Sequence, residues 1–384
     1  MPQLSIKRPR ILFLFSDTGG GHRSASEAII EALNLEFGER ISTEMVDIFK
    51  DYAPQPFNRA PDFYPHMVRL PQAWKMGFVL SDGPRRTRLI VASAWPYVRQ
   101  KVRTLVAQNP CNMIVSVHPI ANGPLLWGLG SQHPPFITVV TDLVSTHAFW
   151  YHRRVDLCVV PTDMARQRAL ACGLKPEQVQ VIGLPVADRF CQPPGDKIAL
   201  RTRLGWPVEG LIILVVGGGE GMGPIEKVVH AITHAFANSH TTSCASLVVV
   251  SGRNKHLKER LEATSWPIQT FIYGFVHEMP DFMRAADILV TKAGPGTICE
   301  AFNAGLPMIL YSRLPGQEDG NVTYVTSQGA GIWAPHPDLI VASLRYWVDT
   351  PQARFQAADA CQRLARPAAA RQIAHLLADR LEVK

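Results

Sequence analysis

Thr291-Lys292-Ala293-Gly294-Pro295-Gly296-Thr297-Ile298-Cys299-Glu300-Ala301, followed by Gly305-Leu306-Pro307 and by Pro315-Gly316-Gln317-Glu318-Asp319-Gly320-Asn321, is the stretch on which the fold turns. The apolar run Ile288 to Val290 reads as a buried strand that opens into a Gly/Pro-rich turn, with a helix predicted from about Gly296. A strand, turn and helix in that order is the unit of a parallel sheet covered by helices. Turn amides and a helix N-terminus form a site for an anion. The spacing puts Glu300 in the first helical turn, where a carboxylate accepts hydrogen bonds from a sugar diol. An anion beside a diol is the chemistry of a nucleotide-sugar.

Outward from this stretch the same unit recurs. Strands are predicted at 11–15, 44–48, 113–117, 136–141, 157–161 and 179–182, then at 211–217, 247–251, 268–273, 288–291, 308–311 and 331–334. Helices are predicted at 24–36, 162–171, 224–237, 256–263, 279–285 and 296–304. The βα alternation runs twice, and each half opens with an apolar strand entering a glycine-rich turn. Residues 183–210, rich in Pro and Gly, separate the halves. The expectation is an α/β chain of two Rossmann-like domains facing across a cleft: 1–187 and 188–364, with a final Ala/Leu/Arg helix at 365–384 returning to the first.

Composition narrows the class. The chain has 384 residues, 47% of them hydrophobic and 18% charged, enough for two cores and unlike a disordered polymer. A net charge of +7 favours an anionic partner without naming it. The 7 cysteines (111, 158, 172, 191, 244, 299, 361) form no CxxC pair, which points away from zinc knuckles and a disulfide framework and toward a reducing cytoplasm. Leu211–Val216 is far shorter than the ~20 residues of a spanning helix, and Ile11–Phe15 is too short for a signal-peptide core. Membrane contact is therefore expected to be peripheral, at the inner face of the cell membrane.

Residues 54–103 break the βα rhythm. They hold Phe57, Phe63, Tyr64, Trp74, Phe78, Trp95 and Tyr97, and from Arg69 to Arg103 eight basic residues stand against one acid, Asp82. Aromatic and basic residues without a spanning run fit an interfacial surface for anionic lipid; an irregular insertion with core aromatics is the alternative.

Two further motifs carry chemistry. Asp17-Thr18-Gly19-Gly20-Gly21-His22-Arg23 follows the first strand; its glycines permit a tight turn and place His22, a residue able to take a proton from an alcohol, at a helix start. It lacks the Gly-Lys-Ser/Thr ending of a Walker A loop, and Asp47 alone is thin support for a ribose partner. Gly217-Gly218-Gly219-Glu220-Gly221-Met222-Gly223 follows the cleanest buried strand, and five glycines in seven residues suit amides that cradle a diphosphate. Asp142, His147 and His152 have neither the spacing nor the second shell of a metal site, so no metal is expected. Lining of an acceptor pocket is expected instead for His118, His147 and Trp150.

Taken together, Gly19–Arg23, Ser116-Val117-His118-Pro119, Val140-Thr141-Asp142-Leu143 with His147 and Trp150, Gly183-Leu184-Pro185-Val186, Gly274-Phe275-Val276, Thr291–Glu300 and Pro315–Asn321 resemble the monogalactosyldiacylglycerol synthases and related diacylglycerol glucosyltransferases. These in turn resemble the lipid II-forming glycosyltransferase of peptidoglycan synthesis. The resemblance covers roughly residues 10–335. It implies the GT-B fold and inverting transfer of a hexose, galactose favoured, from a UDP-sugar to the 3-hydroxyl of 1,2-diacylglycerol. It implies His22 as general base or acceptor contact; Asp142 is expected as the second base, and Gly20, Gly21, Arg23, Trp74 and Trp95 are expected in acceptor or membrane roles. On the donor side it implies Gly218, Gly219, Glu220 and Gly221 at the diphosphate, Phe275 and Val276 at uracil, and Lys292, Gly294, Gly296 and Thr297 at the phosphates. Glu300 falls to the ribose, and Gln317, Glu318 and Asn321 to the sugar. No cofactor beyond the UDP-sugar donor is implied. One departure stands out: many relatives carry Arg directly after the Gly-x-Pro-Val motif, and here that residue is Ala187, with Arg189 two places on.

Competing readings keep the fold and change the reaction. They are diacylglycerol β-glucosyl transfer, or a UDP-sugar transferase or epimerase acting on a soluble substrate. A non-catalytic lipid- or nucleic-acid-binding module would use the +7 charge, but no nucleic-acid-reading motif is present.

Overall fold

The computed structural model describes residues 8–18, 20–60, 62–63, 70–221, 223–237 and 245–383. Gly19, Tyr64, Arg69, Met222 and Cys244, each singled out in the sequence, lie outside the described residues. The chain divides into two compact units: 1–188 with 314–317 and 368–384, and 189–313 with 318–367.

The first unit is built on six parallel strands, β1 (Arg10–Phe15), β2 (Ser42–Asp47), β3 (Met113–Ser116), β4 (Phe136–Val139), β5 (Leu157–Val160) and β6 (Val179–Val181), in the order β2-β1-β3-β4-β5-β6. The inner strands β1, β3, β4 and β5, apolar and buried on both faces, require helices on each side. Those helices are α1 (Gly21–Phe37), α2 (Pro71–Ser81), α3 (Pro84–Gln108), α4 (Pro119–Leu129) and α5 (Asp163–Ala171). The helix predicted at the chain's end is Ala369–Arg380. Its Ile373, Ala374, Leu377 and Ala378 join Ile29, Leu33 and Phe37 of α1 in one buried cluster. Each Ile or Leu removed from water there contributes roughly 1.5–3 kcal/mol.

The segment expected to be irregular forms α2 and α3. Each begins on a proline at its first position, where the missing N–H costs nothing. The apolar stripe that normally announces a helix is absent from α2, which has no fully buried residue; Met76, Val79 and Leu80 are exposed. Along α3 only Thr87, Val91, Val102 and Leu105 are buried.

The second unit repeats the plan with β7 (Leu211–Val216), β8 (Ala245–Val250), β9 (Thr270–Tyr273), β10 (Ile288–Lys292), β11 (Met308–Ser312) and β12 (Gly331–Trp333), ordered β12-β11-β10-β7-β8-β9 and all parallel. Within it, the helix after β10 spans Pro295–Ala304. Pro295 at its first position moves the start one residue ahead of the predicted Gly296, so Glu300 lies in the second turn, not the first. In each sheet the strand order reverses once, between β1 and β3 and between β7 and β10. Ligands of open parallel sheets bind at the carboxyl ends of strands flanking such a reversal.

Candidate functional site

In the first unit the loops after β1 and β3 flank the reversal. Gly20, in a left-handed conformation (φ 76°), ends the β1 loop and Gly21 begins α1. His22 comes next, half-buried, its Nδ1 2.8 Å from Thr141 Oγ1 at the end of β4. Burial pushes this imidazole down to about 4, against the upward pull of a hydrogen bond with the Val117 backbone. At pH 7 the ring is neutral and able to accept a proton.

His118 stands edge-on to His22, ring centroids 4.6 Å apart. It is 4% exposed, and its Nε2 lies 3.2 Å from Thr18 Oγ1. Burial, and secondarily the neighbouring His22, hold it well below the usual imidazole range. Its Nδ1 has no hydrogen-bond partner among the described residues. His22 and His118 thus stand side by side in the loops after β1 and β3.

Other residues are placed differently from the expectation. Arg23 holds Asp17 through two hydrogen bonds of 2.6 and 2.8 Å and lies over the Phe15 ring. Asp47 accepts from the backbone N–H groups of Asp17, Phe49 and Lys50, which explains its presence without a ribose. Trp150 has no exposed surface with which to line a pocket; its Nε1 donates to Asp142 Oδ2 at 2.7 Å and its ring lies 5.9 Å from that of His22. The other Asp142 oxygen accepts from Gln317 Nε2 at 3.0 Å. Gln317, expected at the donor sugar, therefore belongs by its contacts to the first unit. His147 is buried, stacked on Phe149 at 4.9 Å and bonded to Ser81. Asp142, His147 and His152 make no metal cluster; no such group exists among the described residues. Of the interfacial aromatics, Trp95 packs edge-on to Trp127, and Trp74 is half-buried on α2, so neither is a free membrane anchor. The exposed apolar residues there are instead Met76, Val79, Leu80, Leu89, Ile90 and Tyr97, interspersed with exposed Lys75, Arg85, Arg86, Arg88, Arg99 and Lys101.

In the second unit the loop after β7 is dominated by glycine. Gly218, Gly221 and Gly223 have φ of 73, 58 and 92°. A Cβ on Gly221 would lie 2.0 Å from the Ser251 carbonyl oxygen, so only glycine fits. Gly219 accepts from the Arg253 N–H, Glu220 pairs with the Arg253 side chain at 2.8 Å, and the same guanidinium covers the exposed Phe275 ring at 4.7 Å. Val276 beside it is half-buried.

Across the reversal, Lys292 at the end of β10 pairs with buried Glu318 at 2.8 Å. Gly294 caps the following helix, and a Cβ there would come 3.0 Å from Lys292 Nζ. The first-turn N–H groups of Gly296 and Thr297 have no acceptor within that helix, leaving two donors and a positive helix end. Asn321, 1% exposed, donates to the Ala293 carbonyl and holds the turn rather than facing outward. Burial lifts the Glu300 carboxyl to about 7, opposed by the Arg189 charge. Arg189 is thus beside Glu300, while Ala187 packs on the first unit's core. Arg253, which braces both the glycine loop and Phe275, was not singled out in the sequence; its signal is the second glycine turn, Ser251-Gly252-Arg253-Asn254, directly after β8.

Comparison with known proteins agrees with this layout. Residues 22–186 match the family "Monogalactosyldiacylglycerol (MGDG) synthase", and residues 212–373 match "Glycosyltransferase family 28 C-terminal domain". Probable monogalactosyldiacylglycerol synthase 2, chloroplastic, of Oryza sativa subsp. japonica is 39% identical over 347 residues, spanning 88% of this chain and 74% of that one. Monogalactosyldiacylglycerol synthase 1, chloroplastic, of Arabidopsis thaliana is 36% identical over 377 residues, spanning 96% and 70%. Among solved structures, MurG of Acinetobacter baumannii superposes with a TM-score of 0.64 at 14% identity, covering 97% of this chain and 99% of that one. S. aureus MnaA with UDP gives 0.62 at 14%, covering 98% of each. At such identities these structures establish the fold, GT-B, and nothing finer.

The names also overturn one expectation. The relatives are chloroplastic, not enzymes of the cytoplasm at the inner face of the cell membrane. Absence of CxxC pairs speaks only of a reducing surrounding, and that property does not separate one reducing compartment from another. Among the described residues, no helix is long and apolar enough to cross a membrane.

Proposed function

The chain belongs to the monogalactosyldiacylglycerol synthase family of glycosyltransferases, and from that premise we propose that it moves galactose from UDP-galactose to the 3-hydroxyl of 1,2-diacylglycerol with inversion at the anomeric carbon. The observation that carries the reaction is His22: an imidazole kept neutral by burial, fixed by Thr141, at the carboxyl end of the first unit's sheet. It takes the proton of the attacking hydroxyl as the new glycosidic bond forms and the bond to UDP breaks. Asp142, engaged by Trp150 and Gln317, orients this surrounding and is the second candidate base.

In the second unit, the glycine-loop amides, the N–H groups of Gly296 and Thr297, and Lys292 meet the charge growing on the departing diphosphate. Glu300 accepts from the ribose hydroxyls, with Arg189 in part replacing the arginine missing at Ala187. Phe275 and Val276 frame the base. Pre-oriented donors do this work without a bound metal, so activity is expected to persist in EDTA. The exposed apolar and basic residues of α2 and α3 support a reading in which the enzyme works at an anionic bilayer that holds its acceptor.

The test offers UDP-galactose and UDP-glucose in parallel to the protein on diacylglycerol vesicles. Products are resolved by thin-layer chromatography and the anomeric proton coupling is measured. A β-galactosyl lipid as the dominant product is expected. A glucosyl product removes the galactose assignment, an α-anomer removes inversion, and transfer to soluble acceptors alone removes the lipid reading.

A further inference from the structure

Helix α2 makes several of its contacts with the first unit through its C-terminal half. Its outer face is apolar and uncovered: Met76, Val79 and Leu80 are 61, 51 and 64% exposed. At the other end Phe78 meets the His147 ring edge-on at 4.9 Å and lies so close to Gly316 that a Cβ there would be 3.1 Å away. Ser81 Oγ is 3.1 Å from His147 Nε2.

The next residue, Asp82, is the C-cap of α2 and the one acid between Arg69 and Arg103. Both of its oxygens are spent away from its own helix. Oδ1 accepts from the Ala148 backbone N–H at 2.9 Å, and Oδ2 from Arg168 Nη2 of α5 at 2.6 Å. His147 Nε2 stands 4.0 Å from Oδ1.

Ala148 opens the 3-10 turn Ala148–Trp150. A backbone N–H at a turn start has no partner within the turn, and a carboxylate satisfies it strongly. That turn carries the indole that donates to Asp142 and lies against His22. Asn122 of α4 fixes the turn's far end by donating to the Trp150 carbonyl at 2.9 Å. A half-exposed ion pair of Asp82 with Arg168 alone would contribute only modestly. The bond to Ala148 instead connects the carboxylate, through one rigid turn, to the groups around His22.

We infer that Asp82 is a positioning residue for the transfer reaction: it sets the 148–150 turn, and with it Trp150 and Asp142, and it transmits to that turn the seating of α2 on a lipid surface. The inference rests on the lipid-acceptor reading above for its effect on turnover, but the coupling of α2 to the turn is measurable without turnover.

The experiment uses the full chain as wild type, Asp82→Asn, Asp82→Glu and Arg168→Gln, with anionic vesicles containing diacylglycerol and with detergent-dispersed diacylglycerol. Asp82→Asn is expected to lower kcat about tenfold, with KM for UDP-galactose and vesicle co-sedimentation within about twofold of wild type. Asp82→Glu restores part of the loss, and Arg168→Gln, which spares the Ala148 bond, loses less than Asp82→Asn. Amide hydrogen exchange in residues 147–150 slows in wild type when vesicles are added and does not respond in Asp82→Asn. Wild-type kcat in Asp82→Asn, or a loss fully explained by a smaller folded fraction, overturns the inference, as does an equal vesicle response of the exchange in both proteins. Should wild type make no glycolipid, the function reading fails, and the exchange comparison still decides the coupling on its own.

Discussion

The two glycine loops occupy the same place on their sheets and are built in opposite ways. The loop after β1 is furnished with side chains: Arg23 closes on Asp17, Thr18 touches His118, and His22 reaches Thr141. The loop after β7 is dominated by glycine, with three glycines at positive φ, no room for a Cβ at Gly221, and Glu220 paired with Arg253. The first arrangement suits proton transfer, which needs one group of adjusted basicity. The second suits a diphosphate, which needs many weak donors at close approach. Under the proposed function one topology, used twice, serves both purposes, and the difference lies in the few loop residues that lead from strand to helix.

The most severe challenge to this contrast is His22→Ala. Turnover is expected to fall by more than about 10², while UDP affinity measured by calorimetry stays within about twofold; unchanged turnover removes His22 as base. A glycine pair tests the two loops against each other. Gly221→Ala forces a Cβ into the Ser251 carbonyl and should weaken UDP binding more than about tenfold, with a loss of about 2 kcal/mol or more, as expected of a strained, clashing site. Gly20→Ala meets no atom within 4 Å and should cost only the left-handed backbone penalty of about 1–2 kcal/mol, with UDP affinity unchanged.

Glu300 supplies a pH test confined to the second unit. Its carboxyl sits at about 7, so it is mostly protonated at pH 6 and mostly ionised at pH 8. If the ionised form accepts from the ribose, UDP affinity should rise about tenfold across that interval, beyond the change that remains in Glu300→Gln from UDP's own titration. Equal pH dependence in both proteins removes Glu300 from the nucleotide. The smallest effect is expected of Thr141→Val, which removes the partner of His22 Nδ1 and should lower kcat about fivefold, the worth of one hydrogen bond of about 1 kcal/mol.

Much of this was legible in the sequence because buried parallel strands are short, β-branched and bounded by glycine. All twelve predicted strands are present, within three residues at either end. The glycine loops could be read from their places after strands, whereas the edge-on contact of His22 with His118 could not. What was hidden depends on partners distant in sequence. Arg23 looks like a ligand contact until Asp17 is seen closing on it. Trp74 and Trp95 read as interfacial by composition, yet Trp95 rests on Trp127. Helix α2 buries no residue and α3 buries only four of its 25, so the break in the βα rhythm does not read as two helices. Gln317 was read with its neighbours Glu318 and Asn321, but its amide bonds to Asp142, a residue 175 positions away. Asp82 did leave a trace, as the one carboxylate in a long basic stretch.

The helix Ala369–Arg380 also bears on the order in which the molecule is assembled. It buries Ile29, Leu33 and Phe37 of α1, residues synthesised more than three hundred positions earlier. On the ribosome the first unit therefore emerges with one side of its core uncovered, while the second unit, all but complete by residue 367, has what it needs to close first. Until translation has passed through residue 380, the face of α1 that this helix covers remains apolar and open.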